Sequence, residues 1–361
     1  MSAEGALGVV LVTGVAHYLG AHLAGVLAGD RRVGRVLGID SLAPPEDLRA
    51  VLGGVEVRRL DLRDPAMTSL MVDEEVEVVA HVGVATTPEP GPGGRQAMKE
   101  HNVIGTMKLL AACQQAPGLR GLVVRSSTAA YGASFRDPAV FTEDTEPLEL
   151  PRGGFARDVL DIEGYVRGFH RRRPEPRITV LRFAPFVGSY TETSLTRYFA
   201  QPVVPTVLGR DPRLQFVHIK DGLDVLHRSV VESHPGTFNV AGRGVLSLSQ
   251  ALRRAGRIAA PVAEQGLDLA AAVPQSVGGS EFTRDRLDLL VHGRVVDTRR
   301  LIQEFGLTPR STAVAFDDFV RHHRRGALLR PDKVRAAEKL LLERVRRARS
   351  LIQDWGRILD G

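Results

Sequence analysis

The apolar residues of the first 130 positions come in short runs, with helical spacing between them. Gly8-Val9-Val10-Leu11-Val12 is one run, and it stops at Gly14. Six residues on, Gly20 opens Ala21-His22-Leu23-Ala24-Gly25-Val26-Leu27, whose apolar positions follow a helical period. Val33 to Ile39, Val55 to Leu60, Val76 to Val84 and Leu122 to Val124 repeat the strand-like run. Val76 to Val84 reads as a strand covered on both faces, as parallel strands tend to be. Asn102 begins a second helical stretch that runs through Cys113. Thr86 to Arg95 is rich in Pro and Gly and reads as a flexible loop at the carboxyl edge of the sheet, where ligands bind in open α/β folds.

This alternation predicts an α/β fold of the Rossmann type, a doubly wound parallel sheet. The first strand, glycine turn and helix then make a site for pyrophosphate, because bare N–H groups point out of a helix N-terminus. Gly14, His17, Tyr18, Leu19 and Gly20 are the candidate contacts. Asp40 ends the second run about twenty residues later, where an acid accepts both ribose hydroxyls of an adenosine and favours NAD over NADP. Asp61 and Leu62, just past the third run, can bracket an adenine ring. One residue departs from the three-glycine form of the turn: position 17 holds His17, where a bare backbone would lie against the pyrophosphate. Two readings stay open, a nucleotide site modified or lost, and a loop that has shifted and still binds.

Composition adds bounds. At 361 residues, 43% hydrophobic and 25% charged, the chain can bury a large core in one or two lobes. No stretch approaches the ~20 apolar residues that span a bilayer. The first residues show no basic region ahead of an apolar segment. Cys113 is the one cysteine, so no internal disulfide forms, and a reducing, cytoplasmic location is expected. The net charge of +6 is uneven: Arg321 to Arg349 holds eleven basic residues against three acids, a net of +8, and the remainder carries −2.

Several motifs occur in a fixed order: Thr13-Gly14-x-x-His17-x-x-Gly20, Asp40, Asp61-Leu62-Arg63-Asp64, Asn102-Val103-x-Gly105-Thr106 and Ser126-Ser127-x-x-x-Tyr131-Gly132. Leu181-Arg182-Phe183, Gln215-Phe216-Val217-His218-x-x-Asp221, Phe238-Asn239-Val240-Ala241-Gly242 and Val296-Asp297-Thr298 follow. On these the chain, over roughly residues 8 to 325, resembles the extended short-chain dehydrogenase/reductases of the NAD-dependent epimerase/dehydratase family. The resemblance implies NAD as cofactor, adds Asn102 to the cofactor contacts, and places Ser127 at the catalytic serine position. It also implies a homodimer through the helices beginning near Asn102 and Phe155.

The chemistry implied is hydride transfer. It needs a Tyr-x-x-x-Lys pair on one helix face, in which the lysine lowers the phenol pKa and holds the nicotinamide ribose. Here Phe155 and Val159 occupy those two positions, so Ser127 is vestigial. The chain's five tyrosines are followed four residues later by His22, Phe135, Phe169, Ser194 and Pro202, and no Tyr-x-x-x-Lys occurs anywhere. Pro185 stands where the family commonly has a substrate-binding asparagine, and Lys220 replaces one of two usual acids, leaving Asp221 to cap the following helix. The leading expectation is a non-catalytic, nucleotide-responsive or structural scaffold acting through protein contacts. The alternative is an NAD-dependent sugar-nucleotide epimerase, dehydratase or reductase with a rerouted proton donor, for which Asp158, Tyr165, His17 and His81 are candidates.

The organisation expected is a dinucleotide-binding domain over 1–188, with 214–240 returning to it. A smaller substrate-type lobe takes 189–213 and 241–325. A basic amphipathic helix fills 326–361. Helices are expected over Thr193–Phe199, Leu248–Ile258 and Thr298–Phe305. Arg182, Arg197, Arg210 and Arg213 are candidates to face a phosphate, or to be paired. In the tail, Leu341, Val345, Ala348, Ile352, Trp355 and Leu359 make a heptad seam inside a helix from Pro331. That seam can pack on the body or a second subunit, or bind a protein partner. Its basic face can instead meet a membrane surface or nucleic acid, but no aromatic interleaving supports base stacking.

Overall fold

The computed structural model describes residues 6–89, 91–151, 154–263 and 284–323. Seven parallel strands form the central sheet. Six of them are β1 (Leu7–Thr13), β2 (Val33–Asp40), β3 (Glu56–Arg59), β4 (Val76–His81), β5 (Gly121–Ser127) and β6 (Arg177–Phe183), and the seventh is Gly236–Val240. Their spatial order is Gly236–Val240, β6, β5, β4, β1, β2, β3. The order reverses between β1 and β4, and β1 pairs with both β2 and β4. Such a reversal opens a crevice at the carboxyl ends of the strands.

Helices α1 (Tyr18–Ala28), α2 (Glu46–Arg49), α3 (Ala66–Asp73), α4 (Gly94–Lys99), α5 (Gly105–Gln115) and α6 (Gly154–Arg172) connect the strands. They explain why the strand centres carry apolar residues on both sides. Val10 and Val12 face the core under α1, while Leu11 faces the core under α3, α5 and α6. Burying each such side chain contributes roughly 1.5–3 kcal/mol. Cys113 lies fully in the second core, where burial pushes its thiol up to about 12, as suits a small core residue.

A third core sits beyond the carboxyl edge. Phe199, Phe216 and Phe316 interlock there, two edge-to-face contacts joining Phe199 to the others. Helices Ser194–Ala200, Leu248–Ala255 and Thr312–His322 enclose them. Helix Arg299–Phe305 packs differently: Leu301 and Phe305 join the sheet core, and Phe305 meets Phe238 edge-on at 5.1 Å.

Several boundaries differ from those read off the sequence. The helix expected from Asn102 begins at Gly94, directly after Gly93 at φ 86°, and passes through a π-helical turn over Glu100–Ile104. The helix expected to reach Ile258 stops at Ala255, because Gly256 takes a left-handed cap at φ 67°; Ile258–Val262 is a strand paired with Val203–Val207. Helix Ile219–Val231 is capped by the His218 ring, which accepts the Lys220 N–H, and not by Asp221. Asp221 instead holds Arg310. The expected helix over 331–359 lies outside the described residues.

Candidate functional site

The crevice is built on the turn between β1 and α1. Gly14 takes φ 81°, and a Cβ there would lie 2.5 Å from Gly83 Cα. Gly20 lets α1 pack on that turn, since its Cβ would stand 2.2 Å from the Gly14 carbonyl oxygen. His17 differs from both. Its backbone is extended, φ −118° and ψ 153°, a conformation open to any residue, and its side chain is exposed. Among the described residues no side chain caps α1, so its first N–H groups and positive dipole end remain for an anion. The Tyr18 ring stacks on His22 and Leu19 is buried in the core. What these two offer a ligand is main chain.

Asp40 is 8% exposed. Its Oδ2 accepts the Ala16 N–H and its Oδ1 the Leu42 N–H, both at 3.0 Å, which ties the turn to the end of β2. A carboxylate has about four lone-pair sites, so each oxygen can still accept a ribose hydroxyl. Asp61 is held two-pronged by Arg63 at 3.0 and 2.7 Å, and the hydrogen bond from Arg63 keeps its carboxyl below the usual range. Leu62 is buried, within reach of Gly105.

Behind the turn runs a chain of buried hydrogen bonds. Thr13 Oγ1 accepts the Val82 and Gly83 N–H groups, so its hydroxyl donates to His81 Nδ1. His81 Nε2–H then donates to Thr106, whose hydroxyl donates to the Asn102 carbonyl. Asn102 holds Ala85 by both its N–H and its C=O. In the structure Asn102 is a buried clamp on the main chain of the crevice floor.

This chain fixes His81 as a neutral ring. Burial first, then the electrostatic influence of His101 and Arg125, pushes its pKa down to about 3. The unfolded chain therefore binds one more proton than the native one between about pH 6.5 and 3. Native stability is expected to fall on acidification through that window, by up to about 1.4 kcal/mol per pH unit from this group. Urea unfolding at intervals from pH 7 to pH 4 measures the slope. His81→Gln is expected to flatten it, and an unchanged slope would assign it to other groups.

Between β5 and α6 the crevice opens into a cleft with a volume of about 130 Å³. Ser127 and Phe155 both line it, so the structure does bring these two sequence-derived positions together. Val159 is 1% exposed and buried beside them on α6. Two features were not anticipated. Arg95 reaches across from α4 to the fully buried Asp158, with bonds of 2.8 and 2.6 Å. Arg125, near the end of β5, lies in the cleft with its Nη1 on the Val82 and Val84 carbonyls and its guanidinium over the Phe186 ring. Burial pushes it down to about 10. The available signal was a charged residue inside the apolar run Leu122-Val123-Val124-Arg125. Arg182, a candidate for phosphate, is taken up by Glu163 and Tyr131.

The adenosine and pyrophosphate end thus fits NAD: the turn, the uncapped helix end and Asp40 are in place. The nicotinamide end does not, since no phenol or amine stands where Phe155 and Val159 do.

Comparison with known proteins agrees with the architecture. The model of the NAD dependent epimerase/dehydratase family matches residues 10–241. An uncharacterized protein of Mycobacterium tuberculosis is 42% identical over 349 residues, covering 96% of this chain and 91% of its own length. UDP-glucose 4-epimerase 2 of Oryza sativa subsp. japonica is 31% identical over 199 residues, covering 52% of this chain and 46% of that protein. Among solved structures, the UDP-glucose 4-epimerase of Thermotoga maritima superposes with a TM-score of 0.67 at 17% identity, over 88% of this chain and 99% of its own. The described residues hold no helix long and apolar enough to cross a membrane. With the family match spanning well over half of its length, this chain belongs to the NAD-dependent epimerase/dehydratase family of extended short-chain dehydrogenase/reductases.

Proposed function

We propose that this chain is a non-catalytic member of its family, a nucleotide-responsive scaffold that holds the adenosine-diphosphate part of a dinucleotide and acts through protein contacts. The carrying observation is the pair Phe155 and Val159: one has no ionisable proton and the other is an apolar core residue. Losing the proton donor alone removes on the order of 10²–10⁴ in rate. Three of the four rerouted donors find little support. His81 is buried, neutral and bonded at both nitrogens, Asp158 is committed to Arg95, and Tyr165 is part-exposed on the outer side of α6, beside a groove lined by Met107 and Leu110 of α5.

That groove is the surface we assign to a second copy of the chain. The basic stretch 331–359 is the segment we assign to contact with a further protein. A membrane surface or nucleic acid is the less favoured partner.

Calorimetry with ADP-ribose, NAD and NADH tests the reading. ADP-ribose is expected to bind, NAD is expected to gain no more than a few-fold over it, and His17→Gly is expected to tighten both. A gain of about tenfold or more from the nicotinamide half, equal to ~1.4 kcal/mol, would revive the enzyme reading. Failure of wild type and His17→Gly alike to bind ADP-ribose would remove the nucleotide.

A further inference from the structure

Among the described residues Arg125 is a cation without a counter-charge. Its contacts are two backbone carbonyls, both made by Nη1, and one aromatic face. The Nε/Nη2 edge, the fork that grips carboxylate and phosphate two-pronged, makes no hydrogen bond among the described residues. Among the described residues no acidic side chain lines the cleft, whose walls are mainly apolar, with Phe155, Phe183, Phe186 and Leu195 among them. A guanidinium between apolar walls is stabilised by an anion far more than by a neutral group. An oxidised nicotinamide ring, itself cationic, is the wrong charge for that position.

We infer that this cleft binds an oxyanion, a carboxylate or phosphate carried on an apolar body, through the Nε/Nη2 edge of Arg125. Arg125 turns the far end of the nucleotide site from a hydride-transfer pocket into an anion pocket. The inference rests on the proposed function only where the anion is part of a dinucleotide.

Three fragments probe the cleft without a nucleotide: benzoate, phenyl phosphate and the neutral isostere benzamide. Ligand-observed NMR titrations of the full chain are expected to show one or both anions binding at least about tenfold tighter than benzamide, the range of a charge-assisted hydrogen bond. The stronger of the two anions identifies the carboxylate or the phosphate as the natural group. Arg125→Met is expected to abolish the preference, and Arg125→Lys, which keeps the charge but not the fork, to retain part of it. In the dinucleotide arm, nicotinic acid adenine dinucleotide is expected to bind about tenfold tighter than NAD, from which it differs by a carboxylate in place of the carboxamide. Benzamide binding as well as benzoate and phenyl phosphate, or none of the three binding, overturns the inference; so does a preference that survives in folded Arg125→Met. Should Arg125→Met not fold, the wild-type comparison and Arg125→Lys decide. Fragment binding without ADP-ribose binding sinks the nucleotide reading and leaves the anion pocket standing.

Discussion

Gly20→Ala is expected to cost about 3 kcal/mol or more, at or above the upper end of overpacking penalties. The added methyl would lie 2.2 Å from the Gly14 oxygen and 2.6 Å from its carbonyl carbon. These are backbone atoms, so no side chain can rotate out of the way. Gly14 is itself pinned, at φ 81° and against Gly83. The strain must therefore move α1 off the sheet, which also displaces the N–H groups that face a phosphate. Gly29→Ala, just past the other end of the same helix, is the control: its φ is −86° and its nearest new contact is 3.6 Å. It is expected to fall within about 0.5 kcal/mol of wild type, as surface changes do. Urea unfolding and ADP-ribose calorimetry on the two variants read stability and binding together. A Gly20→Ala protein within about 1 kcal/mol of wild type would mean that α1 does not sit on the turn as described.

That glycine was legible because its role is local: a close approach six residues away leaves a spacing in the sequence. The strand runs were legible for a similar reason, since strands covered on both faces need few polar residues. Asp40 was legible by its place at the end of a run. The rest of the site is built across long separations. Arg95 meets Asp158 63 positions away, and the carbonyls under Arg125 are 43 and 41 positions away. No periodicity records such pairs. Arg182 read as a possible phosphate ligand because its partner, Glu163, lies on a different element, and only the packing of α6 against β5 and β6 brings them together. The sequence points to Asp221 as the cap of helix Ile219–Val231 because an aspartate is the usual cap, whereas the His218 ring sits two residues before the N–H it accepts. The start of α4 is hidden in the sequence because Pro and Gly dominate the stretch before it, and Gly93 in its left-handed conformation is where the loop ends.

Arg182→Met is expected to cost about 3–5 kcal/mol, the range for stranding one half of a buried ion pair. Arg182 and Glu163 have side chains only 12% and 4% exposed. They are joined by bonds of 2.9 and 2.7 Å, and Ser126 donates to the same carboxylate. Arg182 also reaches the Tyr131 hydroxyl, which donates to Asn239, and stacks on the Tyr131 ring. Removing the guanidinium leaves Glu163 charged and buried, with the exposed Arg167 at 3.7 Å as the one remaining cation among the described residues. A drop in Tm on the order of 10 °C corresponds to that loss in a domain of this size. The double variant Glu163→Leu/Arg182→Met separates the charge from the packing. It is expected to recover a large part of the loss, because an apolar pair has no stranded charge to desolvate. The same network fixes α6 against β5, and α6 carries Phe155 and Asp158 while β5 carries Arg125 and Ser127. Arg182→Met is therefore expected to weaken oxyanion binding in the cleft as well, although the side-chain hydrogen bonds of Arg182 go to Glu163, Tyr131 and Glu143, none of which lines it. A single variant costing under about 1 kcal/mol would place the pair among solvated surface ion pairs and would detach the cleft's geometry from this network. A double variant as unstable as the single one would show instead that shape, and not the stranded carboxylate, sets the cost.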